Sequence, residues 1–292
     1  MKHPCVIRLV LALVFLGTLS FCQAANGQGV SEVFQTVAFL QGKGEVERAP
    51  IDGVEHEIWL KAPGEAQPHP YRKTTSGTGF FVAKGSEIYL VTAEHVARSL
   101  KYDVRVTVHG AEDKPLTYDM KDLAGPGREQ AWFFHPEADV ALLQLKPSQE
   151  FKGIIKVLTP NVLLASEDEF VEYTDRVLTT VGFPLALGLT GKFSPITKSS
   201  KAASRLLRYK RSDKNVETTF LILDDPSVQG FSGAPVYALT VVSMGGVAFG
   251  TGRFACVGSV HGTLQDNTGG KFAAIVPAYF ILQTIEKFES KK

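Results

Sequence analysis

The stretch QGFSGAPV, residues 229–236, decides the fold of this chain because it places a serine in a tight glycine turn directly before an apolar strand. Pro235 and the apolar residues that follow it disfavour a helix after the serine. Two earlier stretches join a polar residue to a strand in a similar way. LVTAEHV, residues 90–96, runs into His95, and HPEADVALL, residues 135–143, places Asp139 where a buried strand begins.

The sequence around these stretches is rich in strand-forming residues. From about residue 70 onward, short apolar or alternating segments are separated by turn residues, which favours an all-β sandwich or barrel. These segments are 79–83, 88–92, 104–108, 140–145, 177–181, 219–223, 236–242, 255–260 and 272–276. A further strand is expected at 56–60, and residues 278–288 place four apolar side chains on one helical face, which predicts a C-terminal helix.

The order His95, Asp139, Ser232 resembles the trypsin-like serine peptidase superfamily, in particular its bacterial, disulfide-free branch. Three motifs carry the resemblance from about residue 75 to the C-terminus: Thr-Ala-x-His, Asp-Val-Ala-Leu-Leu and Gly-x-Ser-Gly-x-Pro. The resemblance implies an all-β fold of two packed six-stranded antiparallel β-barrels, chymotrypsin-like, with a C-terminal helix. The competing nucleophile elbow needs the order Ser, acid, His and a helix after the serine.

The resemblance gives each residue a role in peptide hydrolysis. Ser232 is the expected nucleophile, His95 the general base, and Asp139 the residue that fixes the imidazole tautomer. The backbone amides of Gly230 and Ser232 are the expected oxyanion hole. No metal and no organic cofactor are expected.

The substrate pocket follows from the resemblance alone. The implied residues are Pro226, Ser227, Ser259, Val260, His261 and Gly262. The preferred P1 side chain stays open: His261 favours an acidic one, Asp224 and Asp225 favour a basic one, and a small or apolar one is equally compatible.

Two positions depart from the family pattern. Phe231 stands where digestive relatives carry an aspartate that pairs with a newly cut N-terminus, so activation by N-terminal trimming is not expected. Ala234 replaces the second glycine of Ser-Gly-Gly-Pro, which adds one methyl group near the nucleophile. Neither change removes a group that the chemistry needs.

The N-terminus has the pattern of a secretory signal peptide: a positive start, an apolar run over 9–21 and small residues near 24. We therefore expect export to the periplasm or the medium, with an uncleaved N-terminal anchor as the alternative. The expected organisation is 1–24 signal peptide, 25–75 N-terminal extension and first strands, 76–155 N-terminal barrel, 156–276 C-terminal barrel, and 277–292 C-terminal helix and tail.

The mature chain is nearly neutral and holds one cysteine. Removing 1–24 takes away Lys2 and Arg8 and no acid, so the formal charge changes from +1 to +1 − 2 = −1. Nucleic acid is therefore not an expected partner. Cys5 and Cys22 lie in the signal segment, so Cys256 has no cysteine left for an intramolecular disulfide.

A basic segment over 192–214 contains eight lysines and arginines with Asp213 as its one acid. It is either a solvated loop or a contact surface for an anionic partner. The expected substrate is a polypeptide, and the oligomeric state stays open. Two other functions are compatible with the sequence: a catalytically silent binding protein that retains the fold, and a chaperone-like quality-control factor.

Overall fold

The computed structural model describes residues 33–51, 54–61, 64, 67–128, 130–211, 213–244 and 247–292. In chain order, the strands of this part are β1 Val37–Val46, β2 Arg48–Ile51, β3 Val54–Glu57, β4 Trp59–Leu60, β5 His69–Pro70, β6 Arg72–Lys84, β7 Glu87–Thr92, β8 Tyr102–His109, β9 Pro115–Asp119, β10 Phe133–Phe134, β11 Ala141–Leu145, β12 Val177–Gly182, β13 Ile196–Lys201, β14 Leu207–Lys210, β15 Glu217–Leu223, β16 Pro235–Met244, β17 Val247–Gln265 and β18 Lys271–Pro277. The helices are α1 Glu94–Ser99, α2 Met120–Ala124, α3 Gln149–Ile154 and α4 Ala278–Glu289, with 3-10 turns at Ala111–Asp113, Pro160–Val162, Asp168–Tyr173 and Pro184–Ala186.

Two antiparallel sheets form the body of the protein. The first has the order β10-β11-β7-β6-β1-β8-β9, and the second has the order β13-β12-β16-β17-β18-β15-β14. We refer to them as the first half and the second half. The all-β class, the two-part architecture and the C-terminal helix are confirmed. Each sheet has seven strands rather than the six expected per barrel.

Short turns and continuous apolar burial explain why these segments pair. Lys84 pairs with Glu87 across the two-residue loop Gly85-Ser86, where Gly85 has φ +60° and so accommodates a left-handed turn. Several strands are buried on both faces, as in the run from Gly77 to Val82. One face packs against other apolar residues of the first half, and the other face packs against the second half. Such continuous burial explains the apolar runs seen in the sequence.

The apolar core has two parts. One cluster lies entirely in the first half and includes Leu40, Phe81 and Leu143. The other cluster is continuous from the first half into the second, and Phe39 meets Phe183 edge to face across it at a centroid distance of 5.7 Å. The two halves are therefore held together by a shared core.

The expected division at residue 75/76 does not match the first sheet. Strand β1, which begins at Val37, pairs with β6 on one side and β8 on the other and so lies inside the sheet. The strand expected at 56–60 is interrupted at Ile58, and its two parts pair in separate small hairpins, β2-β3 and β4-β5.

The proposed signal segment, residues 1–24, lies outside the described residues. Among the residues that are described, none of the helices combines the length and the apolar character needed to cross a bilayer.

Candidate active site

His95 is held at the start of a short helix. Strand β7 ends at Thr92, Ala93 is the N-cap in extended conformation, and α1 begins at Glu94. The first N–H groups of a helix have no partner inside the helix. One of them, that of His95, donates to Asp139 Oδ1 at 3.0 Å. The same carboxylate thus fixes the backbone and the ring of His95.

The turn that presents Asp139 is organised by His135. The backbone N–H groups of Glu137 and Ala138 donate to His135 Nδ1 at 3.2 and 2.9 Å. The turn closes where the His135 N–H donates to the Val140 carbonyl at 3.0 Å, directly before β11. The imidazole is buried among these donors, and burial together with the nearby Lys287 ammonium lowers the pKa of His135 to about 4. His135 therefore has a structural role in this turn.

Asp139 is fully buried and accepts four N–H donors. Oδ1 accepts from the His95 backbone and from the Arg211 guanidinium, the latter at 3.2 Å. Oδ2 lies 2.7 Å from His95 Nδ1 and 2.6 Å from His261 Nδ1. Both imidazoles thus use Nδ1 toward one oxygen, which leaves His95 Nε2 as the ring nitrogen available to a substrate or a hydroxyl.

The two central pKa shifts follow from this geometry. Burial alone raises the pKa of a carboxyl group, but the hydrogen bonds from His261 and His95 hold the pKa of Asp139 well below its usual range. Burial alone lowers the pKa of an imidazole, but the hydrogen bond and charge of Asp139 outweigh it and raise the pKa of His95. Asp139 is therefore ionised at neutral pH.

Ser232 lies in a glycine turn of the second half that touches the first half. The Thr78 N–H on β6 donates to the Ser232 carbonyl at 3.0 Å. The Ser232 hydroxyl donates to the His261 carbonyl at 3.3 Å, and the His261 ring lies 5.7 Å from the His95 ring, edge to face. Gly233 has φ +81°, and a Cβ there would lie 2.3 Å from the Thr78 carbonyl oxygen, so this position requires glycine.

The peptide groups around Ser232 have fixed orientations. The Leu185 N–H donates to the Gln229 carbonyl at 2.8 Å, and the Ala234 N–H donates to the Phe231 carbonyl at 2.7 Å. In a trans peptide the N–H points opposite to the C=O. The amides of Gly230 and Ser232 therefore point away from these partners, and among the described residues neither has an acceptor.

The residues expected in the substrate pocket divide into two groups. Ser259 and Val260 are buried in strand β17, whereas Pro226, Ser227 and Gly262 are partly exposed. Thr263, next along the strand from Gly262, donates through Oγ1 to the Ser227 carbonyl at 2.9 Å. This hydrogen bond joins the two segments that were expected to line the pocket.

His261 has contacts different from those expected of a pocket residue. Its ring is buried, bonds to Asp139 and lies against Phe220 with a centroid distance of 5.2 Å. The contacts therefore do not support a role for this imidazole in reading an acidic P1 side chain. A lone histidine on a strand gave no sequence signal for a contact with an aspartate 122 positions earlier.

The acids expected to favour a basic P1 side chain are already engaged. The Lys201 N–H donates to Asp224 Oδ1 at 2.7 Å, and Lys198 Nζ lies 3.6 Å from Asp225 Oδ2. Asp224 is thus hydrogen-bonded to a backbone amide, and the charge of Asp225 is partly offset by Lys198.

The basic segment is not a loop throughout, as one interpretation expected, because it contains β13 and β14. Two of its members reach the site. Arg211 Nη1 lies 2.9 Å from Glu94 Oε2, and Lys214 Nζ also bonds to Glu94. Although burial would raise the pKa of Glu94, the hydrogen bonds from Lys214, Arg98 and Arg211 lower it. Sequence reasoning missed these contacts because each residue alone resembles a surface charge.

One group of described residues has the composition of a metal site. His95, Asp139 and His261 place ligand atoms within 4.8 Å of one another. The atoms concerned are hydrogen-bonded to each other at 2.6–2.7 Å, so a metal ion would have to displace both imidazole–carboxylate bonds. The donor set thus fits a hydrogen-bonded network better than a metal centre.

Comparisons with known proteins identify the fold and nothing finer. No family model matches the chain, and no curated protein matches it in sequence. Among solved structures, it is similar to one described as "HtrA-type protease AlgW with decapeptide", with a TM-score of 0.51 and 16% sequence identity, over 90% of this chain and 67% of that one. The chain therefore has the fold of the trypsin-like serine proteases, as the sequence motifs predicted.

Proposed function

We propose that the chain is an exported serine endopeptidase in which Ser232 is the nucleophile, His95 the general base and Asp139 the residue that orients it. The observation that carries the proposal is the 2.7 Å contact between His95 Nδ1 and Asp139 Oδ2, made where the serine turn of the second half meets the first. A serine hydroxyl is a weak nucleophile without an adjacent base, and this contact leaves His95 Nε2 to serve as one.

The reaction proceeds through an acyl-enzyme. Ser232 Oγ redirects its proton from the His261 carbonyl to His95 Nε2 and attacks the carbonyl carbon of the scissile peptide. The C–N bond then breaks, and His95 passes the proton to the leaving amine. Water, deprotonated in turn by His95, then attacks the acyl carbon. The ester bond to Ser232 Oγ breaks, the carboxylic product leaves, and His95 returns the proton to Ser232 Oγ.

The backbone amides of Gly230 and Ser232 supply the oxyanion hole in this proposal. Both lack an acceptor among the described residues, and the hydrogen bonds on the neighbouring carbonyls fix their direction. Donors that are oriented before the reaction stabilise developing negative charge without reorganisation at the moment of reaction.

The contacts of the pocket favour a small P1 side chain. A bulky side chain has to separate Ser227 from Thr263, which are joined by a 2.9 Å hydrogen bond. Asp224 accepts a backbone N–H, Asp225 faces Lys198, and the His261 ring is directed to Asp139, so the contacts add no support for either charged preference. A peptide library should therefore show cleavage after residues such as alanine or serine in preference to lysine or glutamate.

Only residues 1–24 support the proposed export. They have a positive start, an apolar run and small residues at the expected cleavage position. The substrate is then a polypeptide met in the periplasm or outside the cell. The solved protease to which the fold is similar is described with a decapeptide, which agrees with a peptide as ligand.

The test is fluorophosphonate labelling of the purified mature protein beside Ser232→Ala and His95→Ala. Labelling of the wild type alone supports an assembled triad, because the probe reacts with an activated serine hydroxyl. Ser227→Ala is the matched control, since it removes a nearby hydroxyl that is outside the triad. A folded wild type that stays unlabelled would show that the proposal is wrong and would favour a binding protein. Labelling that survives in Ser232→Ala would also contradict the proposal, because the reactive serine would then be a different one.

A further inference from the structure

Arg211 differs from the other basic residues of its segment. Of the eight lysines and arginines between 192 and 214, all of them described, Arg211 alone is buried, and none of its side chain is exposed to solvent. It follows β14 in the second half, yet its guanidinium reaches residues of the first half. Burying an arginine costs several kcal/mol of desolvation free energy, which only close pairing with acceptors offsets. The partners of Arg211 therefore indicate why it is buried.

The guanidinium is paired with three carboxylates and one carbonyl. Nη1 lies 2.9 Å from Glu94 Oε2 and donates to the Glu137 carbonyl at 3.2 Å. Nη2 donates to Asp139 Oδ1 at 3.2 Å and to Asp213 Oδ2 at 2.6 Å, and Nε donates to Asp213 Oδ1 at 2.9 Å. The bidentate contact with Asp213 fixes the plane of the fork, and the remaining N–H groups point at the first half.

The residues that Arg211 contacts in the first half all adjoin the proposed base and its acid. Glu94 precedes His95 and opens α1, Glu137 belongs to the turn that His135 organises, and Asp139 bonds to the His95 ring. One side chain thus joins the start of the helix, the acid turn and the acid itself.

We propose that Arg211 is a positioning residue of the proposed peptidase site: it locks Asp139 against the start of α1 and, through its charge, sets how tightly His95 holds a proton. The inference rests on the proposed function for its catalytic consequence. The contacts of Arg211 do not depend on the proposed function, because they exist whatever reaction the site performs.

The electrostatic part of the proposal has a definite sign. The charged or titratable groups that face His95 and its acid are Asp139, Asp213, Glu94, Arg211, Lys214 and His261. Asp139 favours the imidazolium form of His95, whereas Arg211 opposes it and lowers the pKa of His95. Loss of the Arg211 charge therefore leaves the carboxylates less compensated and raises the pKa of His95 further.

The experiment compares Arg211→Met, Arg211→Lys and two controls, Lys214→Met and Arg98→Met, which remove cations from Glu94 without touching Asp139. The readouts are the pH profile of kcat/KM and an NMR titration of the His95 ring in a Ser232→Ala background. For Arg211→Met we expect the acid limb and the His95 titration to move to higher pH, with a loss in kcat on the order of 100-fold and little change in KM.

The lysine variant separates charge from shape. Arg211→Lys keeps the charge but loses the fork, so its acid limb should stay near that of the wild type while kcat falls by about 10-fold. If Arg211→Met does not fold, the double variant Arg211→Met/Glu94→Gln removes one stranded carboxylate and is titrated in its place. A merely structural arginine would lower the folded fraction and leave the His95 titration unmoved.

Each outcome decides the proposal. An unmoved or lowered His95 titration in Arg211→Met, an equal shift in Lys214→Met, or wild-type kcat in Arg211→Lys would overturn it. A wild type that is folded but unlabelled by fluorophosphonate defeats the peptidase function instead. The NMR titration needs no activity, so it still tests whether Arg211 controls the proton affinity of His95, and the two failures are distinguishable.

Discussion

The two halves of the molecule contribute equally to one carboxylate but hold it in different ways. Each oxygen of Asp139 accepts one donor from the first half, the backbone or ring of His95. Each also accepts one donor from the second half, Arg211 at Oδ1 and His261 at Oδ2. The first-half donors are fixed by local turns, whereas the second-half donors arrive only when the halves dock. The acid–base pair therefore lies in the first half but is completed by the second.

The shared core explains why this docking is stable. Apolar residues of β1 and β6 pack against Phe183 and Phe231 of the second half in one continuous cluster. Apolar burial contributes about 25 cal/mol per Å² and has no directional requirement, so it brings the halves together without specifying which polar groups meet. The polar contacts at Asp139 supply that specificity, and the following predictions separate the two contributions.

The largest effect is expected from Asp139→Asn, which disrupts the contacts of both halves at once. An amide presents one oxygen and one NH₂ group, so it cannot accept from His95 N, Arg211 and two imidazoles together. The His95 ring is then driven to the tautomer that cannot take a proton at Nε2. By analogy with the same change in another triad, kcat should fall by about 10⁴-fold, measured on the best peptide substrate.

Asp213→Asn is the matched control for that change. It removes a carboxylate from Arg211 but none from a histidine, so the loss in kcat should stay within about 10-fold. If Asp139→Asn retains a tenth or so of the wild-type kcat, the acid does not control the tautomer of His95 and the proposed mechanism fails.

A smaller, pH-dependent effect is expected at His135, which organises the acid turn within the first half. The pKa of His135 is lowered to about 4 in the folded protein, from roughly 6.5 in an unfolded chain. Between these values the unfolded chain binds a proton that the folded one does not, so stability is lost as the pH falls from about 6.5 to 4. His135→Asn keeps an acceptor near the Nδ1 position and should remove up to about 3 kcal/mol of this acid-induced loss.

Urea unfolding at a series of pH values between about 4 and 8 measures this loss. His56 is an exposed histidine on β3, and His56→Asn is the control. This variant should leave the dependence of the unfolding free energy on pH unchanged. The proton of His95 acts in the opposite direction, because its raised pKa contributes stability at low pH that disappears as the pH rises through the folded value. If the free energy of unfolding falls as steeply with decreasing pH in His135→Asn as in the wild type, His135 is not the source of the acid-induced loss.

The same comparison shows how far sequence reasoning reached. Ser232, His95 and Asp139 could be singled out as candidates because each lies next to a predicted strand and their residue types occur in a distinctive order. The C-terminal helix and most strands of the two sheets followed from periodicity, and their existence is confirmed. Strand β1 escaped notice because its second part alternates glycine with charged residues, and β13 and β14 did because lysine and arginine resemble a solvated loop.

The second-half partners of Asp139 could not be predicted for a different reason. Arg211 and His261 are 72 and 122 positions away from Asp139, and no local pattern marks either residue as its partner. Their contacts depend on how two sheets pack, which the hydrophobic pattern leaves open. The buried polar contacts of a site are thus the part of a fold that periodicity describes least.

The smallest effect is expected where the halves meet at the surface. Lys84 Nζ on β6 lies 2.8 Å from Glu289 Oε2 at the end of α4, and the Tyr89 hydroxyl donates to the other oxygen at 2.9 Å. Both charges are about one third exposed, so solvent screens them. Lys84→Met should therefore lower the free energy of unfolding by less than about 1 kcal/mol, and the difference should shrink at high salt.

Lys43→Met is the matched control, because Lys43 and Asp103 form an exposed ion pair of 2.9 Å inside the first half. Urea unfolding of both variants at low and high salt gives the comparison. The Lys84 change should cost slightly more, since it also leaves Glu289 beside Tyr89 without its cation. A loss above roughly 2 kcal/mol for Lys84→Met, with no salt dependence, would mean that the end of α4 and not the shared core carries the docking of the halves. The helix α4 would then be what holds Arg211 and His261 in contact with Asp139.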